Sequence, residues 1–380
     1  MKILHCCLSC FYIDGFGYQE NILPIINNND GHIVKIIASR ETFIDGKVGY
    51  IKANKYIINK KIEVIRLNYK NILTNRISSK VRSYKRCYKE IEKFKPDVIL
   101  FHGMCAYELL TVSKYKKNNP NIKLYVDSHE DFTNSAKTFF SKNILHRLFY
   151  KKIALKCLKY IDKVLYISEE TRIFLQDFYE IPNKKLEFYP LGGFIIEREE
   201  KQEIRKKIRK DLKINQGALV LIHSGKLDRL KKTKELLEVF STIKSNNLYL
   251  IIIGSIPDEE KLILNNLIKS DKRIIYLGWK SSNDLIEYIC ASDIYMQPGS
   301  QSSTALTAVC CGLPILLYPS VSYLHLFDTN VFWARDKKEI KENLEKVIED
   351  REFLKNMESR SYEIAKNILD YQKLARRLYE

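Results

Sequence analysis

The chain has 380 residues, 45% of them hydrophobic, which is long enough for two packed cores and too apolar for a disordered protein. Its 64 Lys and Arg outweigh 46 Asp and Glu, giving a formal net charge of +18, so an anionic partner has to be weighed. No apolar run approaches the ~18–20 residues of a membrane span. The start, MKILHCCLSC, has no basic stretch leading into a long apolar segment, so the expectation is a cytoplasmic protein without a signal peptide. Nine scattered cysteines read as reduced thiols. Cys7 and Cys10 form a CxxC, but no second pair at ligand spacing follows, which argues against zinc.

The first half alternates apolar strand-like runs with amphipathic stretches. Strands are expected at Lys2–Leu8, Ile33–Ala38, Ile62–Leu67, Asp97–Phe101, Lys123–Asp127, Lys163–Ile167 and Leu186–Tyr189. Helical patterns lie near 17–28, 79–94, 105–118, 139–160 and 169–180. That alternation predicts a parallel sheet with helices on both faces. A charged stretch from Gly192 to Asn215 reads as a domain junction running into a solvated helix. The second half repeats the pattern, with strands at Ala218–His223, Leu248–Ile253, Arg273–Leu277, Ile294–Gln297, Ile315–Leu317 and Val331–Ala334. Helices are expected near 232–245, 258–269, 282–291, 303–311, 337–350, 351–367 and 370–379. The fold class is α/β, with two doubly wound Rossmann-like domains facing an interdomain cleft. Ligands of such sheets bind beyond the C-terminal ends of the strands.

Several strand ends carry chemistry. The loop after the first strand contains Asp14-Gly15-Phe16-Gly17, where glycines let the backbone approach a ligand or make a simple tight turn. His102 follows the strand ending at Phe101. Asp127, His129, Glu130 and Asp131 follow the next, and His129 between carboxylates is suited to orient or activate a hydroxyl. The stretch from Phe139 to Tyr160 mixes aromatics with Lys and Arg, as a helix on an anionic membrane surface would; a helix half in the core and half solvated fits it too. After Ala218–His223 come Gly225, Lys226, Arg229, Lys231 and Lys232, cations suited to a diphosphate. Trp279 is placed to stack on a base or to fill the core. Finally, Pro298 and Gly299 break a strand. Ser300, Gln301, Ser302, Ser303 and Thr304 lead into a short helix that Ser302 or Ser303 caps and Gly312 ends. Such a hydroxyl-rich turn at a helix N-terminus is an anion cradle.

These pieces, in this order, resemble a GT-B glycosyltransferase of the retaining family 4 (group 1). The resemblance rests on the Gly15-Phe16-Gly17 loop, the Gly31-His32 turn, Pro96-Asp97, PLGG at 190–193, SGKLDRLKKTKELLEVF at 224–240, LGW at 277–279 and CGLPIL at 311–316. It covers essentially the whole chain. It implies an acceptor-binding domain over 1–192, to which a last helix at 370–380 returns, and a nucleotide-sugar-binding domain over 193–369. By resemblance the catalytic set is His129, Lys226 and Lys232, with Lys231 or Arg229 as alternatives to Lys232 because the spacing is one residue longer than the family's. The donor contacts are Gly15, Phe16, Gly17, Gly225, Arg229, Lys231, Trp279, Ser300, Gln301, Ser302, Ser303, Thr304 and Thr307. His102, Glu130 and Asp131 lie on the acceptor side. No metal is implied, and no cofactor beyond the nucleotide sugar as substrate. The resemblance further implies, as an expectation, an acceptor hydroxyl on a glycan or lipid-linked molecule in bacterial surface polysaccharide synthesis, with the protein in the cytoplasm or peripheral on the inner face of the cell membrane.

The family's paired glutamates, eight residues apart, fall by this register at Gly299 and Thr307, and neither is acidic. A catalytically weak or inactive GT-B-like binding protein of a membrane-associated assembly is therefore the main rival. Nucleic acid is not expected: charge alone supports it, with no RNA- or DNA-binding signature.

Overall fold

The computed structural model describes residues 1–44, 47–70 and 74–380. They divide into two compact units, Met1–Pro190 with Tyr371–Glu380, and Leu191–Asp370. Along the first unit the strands are β1 (Lys2–Cys7), β2 (Ile33–Ala38), β3 (Glu41–Ile44), β4 (Lys47–Tyr50), β5 (Lys55–Ile58), β6 (Ile62–Arg66), β7 (Val98–Phe101), β8 (Lys123–Ser128), β9 (Lys163–Tyr166) and β10 (Leu186–Phe188). Eight form one sheet in the order β10-β9-β8-β7-β1-β2-β6-β5. All neighbours in it are parallel except β5 and β6. The central strands are buried on both faces, which is why they read as continuous apolar runs such as VILF in β7.

Sequence pattern and structure differ where burial is shallow. The hairpin β3–β4 and the antiparallel edge strand β5 were not expected. Their residues are largely exposed or half-buried, so no apolar period marks them. The single helix expected at 79–94 is two, Asn75–Val81 and Cys87–Phe94. Arg82 and Arg86 turn left-handed between them, with φ of 53° and 65°. The Glu108 carboxylate holds that corner, accepting from Tyr84 N at 2.7 Å and Ser83 Oγ at 3.1 Å. The expected helix at 139–160 begins as a π-helical stretch, Ser141–Tyr150, and continues as α-helix Lys151–Cys157.

The second unit has six strands, β11 (Leu219–Lys226), β12 (Leu248–Ser255), β13 (Ile274–Tyr276), β14 (Ile294–Gln297), β15 (Ile315–Leu317) and β16 (Val331–Trp333). They run parallel in the order β13-β12-β11-β14-β15-β16. Each unit has an apolar layer on both faces of its sheet. One short helix, Val321–Leu326, was not foreseen, since its residues are mostly exposed or half-buried. The chain enters and leaves this unit side by side: Gly193 pairs with Asp370, and Gly193 N donates to Leu369 O at 2.8 Å.

The helix Tyr371–Arg376 packs into the first unit. Tyr371, Leu374 and Ala375 join the apolar layer that contains Leu23 and Ile26 of helix Gln19–Asn29. Tyr189 Oη donates to Leu374 O at 2.6 Å.

In the second unit, the ends of β11 and β12 close on each other. Gly225 pairs with Gly254, and a Cβ on Gly254 (φ +145°) would overlap the Gly225 carbonyl oxygen. Gly254→Ala is expected to cost about 2–4 kcal/mol of stability through strain and overpacking. A urea unfolding midpoint unchanged from the parent would show that the two strand ends separate freely.

Candidate functional site

In the second unit the candidate site lies past the C-terminal ends of β11, β12 and β14. Lys226 ends β11 and is exposed. Asp228 then caps a 3₁₀ turn, Arg229–Lys231, by accepting from Lys231 N at 3.3 Å. The turn packs directly on Gly299. A Cβ at Gly299 would overlap the Leu230 carbonyl oxygen and lie 2.7 Å from Lys231 Cα. Ser300 N donates to that same Leu230 carbonyl at 2.7 Å. Lys231 reaches across, with Nζ 2.7 Å from Gln301 O and 3.3 Å from Ser300 O. Two segments far apart in sequence thus form one backbone-locked platform. Position 299 has no room for a side chain, which accounts physically for the lack of an acid there.

Beyond this contact Ser302 caps helix Ser303–Cys310, its side chain accepting from Thr304 N at 3.3 Å. Tyr323, on the unforeseen helix, donates to Ser302 O at 3.1 Å, and Ser302 N lies 2.8 Å from its hydroxyl. Gly312, at φ +68°, follows the helix end. The dipole of that helix favours an anion here.

The four cations of the platform differ in surroundings. Burial lowers the Lys231 pKa, and Asp228 partly offsets that. Arg229 pairs with Glu260 at 2.6 Å. Lys232 is left-handed (φ 53°) and donates to Arg335 O at 2.8 Å, with its ammonium 4.9 Å from the Tyr318 ring centre. Trp279 follows Gly278, is 74% exposed, and so is not core. Ser303 is exposed, and Thr304 and Thr307 are half-buried. Beneath the platform, His223 donates from Nδ1 to Met296 O at 2.7 Å and meets Thr233 Oγ1 through Nε2 at 2.9 Å. Burial pushes its pKa down to about 4, so it is a neutral strut.

In the first unit, β1, β7 and β8 lie side by side and deliver His5, His102 and Asp127 to one buried cluster. His102 Nδ1 is 2.6 Å from Asp127 Oδ2, and Gly103 N donates to Asp127 Oδ1 at 2.7 Å. His129 Nε2 stands 3.6 Å from Asp127 Oδ1, with its side chain 36% exposed. On the far side His102 Nε2 meets His5 Nδ1 at 3.1 Å, and His5 Nε2 meets Asn27 Oδ1 at 2.9 Å. Burial alone would lower the His102 pKa, but the Asp127 carboxylate overrides it and raises the value to about 9. Burial would likewise raise Asp127, yet His102 and then His129 hold it well below the usual carboxylate range. His129 is raised because Asp127 outweighs its burial. His5 falls to about 3, through burial and then the His102 charge.

The neighbouring loops have structural partners. Glu130 accepts from Ser128 Oγ at 2.6 Å and His129 N at 3.2 Å. Asp131 closes a turn, accepting from Thr133 N at 2.6 Å and Asn134 N at 2.9 Å. The glycine loop is pinned by buried Arg66, which donates to Tyr12 O at 2.9 Å and Asp14 Oδ2 at 2.9 Å. Gly15 has φ +78° and open space where a Cβ would stand. Phe16 is exposed beside Tyr18 and Phe43. Gln19, nearly fully buried after this loop, has an amide without a hydrogen-bond partner among the described residues.

The structure thus groups His102 with His129, and Gly225, Lys231 and Ser300–Ser302 with the helix N-terminus. Sequence reasoning passed over His5, Asn27 and Arg66. The signal was present: His5 is the one polar residue inside the apolar run of β1, and a buried polar side chain must find partners. Phe139 (82%), Phe140 (61%), Ile144 (41%) and Leu148 (50%) are exposed, interleaved with exposed Lys142 and Arg147. Among the described residues no cluster of three or more His, Cys, Asp or Glu is arranged for a metal ion. No helix of the described residues is long and apolar enough to cross a membrane.

Residues 204–364 match the family described as Glycosyl transferases group 1. The matched span lies within the second unit, Leu191–Asp370. The whole chain has the GT-B fold of solved glycosyltransferases. It is similar to sucrose-phosphate synthase from Thermosynechococcus elongatus, at 12% identity and TM-score 0.67, over 99% of this chain and 96% of that one. It is similar to HepE of Anabaena in complex with UDP, at 15% identity and TM-score 0.67, over 99% and 98%. It also resembles WaaG, a glycosyltransferase involved in lipopolysaccharide biosynthesis, at 15% identity and TM-score 0.63, over 99% of each chain. No curated protein sequence matches it.

The His102–Asp127 pair makes stability depend on pH. The His102 value rises from about 6.5 unfolded to about 9 folded, so its contribution is complete below about pH 6.5 and is lost as pH climbs through 9. The Asp127 contribution has the opposite sense: present above about pH 4, lost as pH falls. In urea melts between about pH 6.5 and 9.5, the parent should lose roughly 2–3 kcal/mol more than His102→Gln. Parallel pH profiles would show that the pair is not ionic.

Proposed function

We propose that this protein transfers a hexosyl or related sugar from a nucleotide-sugar donor to a hydroxyl of a glycan or lipid-linked acceptor, with retention and without a metal, in bacterial surface polysaccharide synthesis. The observation that carries the reading is the locked platform of the second unit. There Lys231 lies on the Gln301 carbonyl where the turn feeds the N-terminus of helix Ser303–Cys310. A donor diphosphate is the anion such a site would take. Lys226, Lys232 and exposed Trp279 line the same strand ends, the cations for the phosphates and the indole for the base. In the first unit, His129 is the partly exposed group that meets the transferred sugar on the acceptor side. The bond from the sugar's anomeric carbon to the diphosphate breaks as the bond to the acceptor oxygen forms, and the hydroxyl proton passes to the departing diphosphate. The platform stabilises the charge that grows there.

UDP is the first nucleotide to test, because it is the one bound in the HepE structure. Calorimetric titration with UDP and other nucleoside diphosphates should find one that binds. Lys231→Ala should weaken that binding about 10- to 100-fold, the worth of one charge-assisted contact. Absence of binding by every nucleotide, with no transfer or hydrolysis of any nucleotide sugar, would favour the catalytically inactive binding protein. The closed position at Gly299 and the neutral Thr307 are what speak for that second reading.

The exposed ridge of Phe139, Phe140, Ile144 and Leu148 among cations supports a lipid-linked acceptor reached at an anionic membrane surface. Phosphatidylglycerol vesicles should co-sediment the protein better than phosphatidylcholine vesicles, less so at high salt. Phe140→Ser should weaken that binding about tenfold, the loss of one buried aromatic. Equal binding to both vesicle types would remove the membrane role.

A further inference from the structure

Behind His129, the donor and acceptor roles of every ring nitrogen are dictated by the neighbours. The Ala375 carbonyl, in the last helix, only accepts. The Asn27 amide therefore turns Nδ2 toward it, at 3.4 Å, and Oδ1 toward His5, at 2.9 Å. His5 Nε2 must then donate. A neutral imidazole has one proton, so His5 Nδ1 offers a lone pair to His102 Nε2, 3.1 Å away. His102 Nε2 must donate in turn. Its Nδ1 faces the Asp127 carboxylate at 2.6 Å, and that oxygen also only accepts. Both nitrogens of His102 carry protons, and the ring is a cation. The two imidazole planes differ by 17°, with ring centres 5.4 Å apart.

We propose that Asn27 and His5 are positioning residues that hold His102 doubly protonated, so that His129 meets an Asp127 carboxylate already half neutralised. Without the His102 charge, the whole of the Asp127 charge would act on His129 and fix a proton there. With it, part of that pull is cancelled and His129 holds its proton less tightly. Other charged or titratable groups act on the pair: Cys7 and Glu20 on His102, and Glu20 and Glu130 on His129. The last helix takes part through a single carbonyl, which selects one orientation of the Asn27 amide. The consequence at the sugar rests on the reading of His129 as an acceptor-side group; the protonation pattern itself does not.

Nitrogen-15 NMR of the histidine-labelled full chain tests this. Seven histidines are present, and single replacements assign them. In the parent, His102 should carry two ring protons up to near pH 9, while His5 keeps one across the range. His5→Phe removes the acceptor of the His102 Nε2 proton. His102 should then be neutral at about pH 7.5, and the His129 midpoint should rise by about one unit. A neutral His102 in the parent overturns the proposal, as does an unchanged His102 in His5→Phe; the parent measurement stands even if a variant fails to fold. None of these signals depends on sugar transfer. The predicted pattern without any transfer would therefore keep this proposal and sink the transferase reading, and transfer with a neutral His102 would do the reverse.

Discussion

Asp127 is a carboxylate with almost no contact with water, and the first unit is arranged around keeping it ionised. An isolated charge at that depth would take up a proton rather than remain. It remains because a cation and a backbone N–H reach it from the adjoining strand end. The backbone contact has a sequence cost. Gly103 has φ +87°, and a Cβ there would come within 2.8 Å of Ser9 Oγ, so only glycine lets this amide turn toward the carboxylate. The demand then spreads outward. His102 needs an acceptor for its second proton, His5 supplies it, and Asn27 supplies the next. A polar residue in a central strand and an asparagine on a buried helix face both follow from one carboxylate.

The second unit achieves a comparable end with backbone instead of charge. Its site depends on two glycine contacts, Gly254 against Gly225 and Gly299 against the turn Arg229–Lys231. Each replaces a side chain with a close approach of main chains, which fixes where the cations emerge. Lys231 is positioned by carbonyls of the opposite loop, which ties the cation to the segment that leads into the helix.

The legible part of the fold was the part buried on both faces. Strands such as β7 and β11 are continuous apolar runs between breakers, and no other element produces that pattern at that length. The hairpin β3–β4, the edge strand β5 and the helix Val321–Leu326 were silent because few of their residues are buried. The split of the helix expected at 79–94 was hidden for another reason. Glu108, distant in sequence, imposes it through Ser83 and Tyr84, and local propensity carries no trace of that. In the site, loop chemistry was legible where one segment suffices, as in the Ser302 cap. The relay was not, because its members come from β1, a helix, β7, β8 and the last helix.

The neutral residues at the family's glutamate positions also look different in three dimensions. On sequence, Gly299 is a lost acid. In the structure it is the point where the turn Arg229–Lys231 sits, and a glutamate there would have to displace the backbone that delivers Lys231. The turn thus occupies the space that a side chain at position 299 would need. Hydrogen bonds to charged groups contribute about 1.5–3 kcal/mol, against about 1 kcal/mol for neutral ones. On the proposed reading, a site without carboxylate contacts to sugar hydroxyls would lean more on its cations and so on the diphosphate. On that reading the selection of the sugar would fall on groups outside the platform, and in the first unit the partly exposed ring of His129, set against buried Asp127, is the group that the proposal places there.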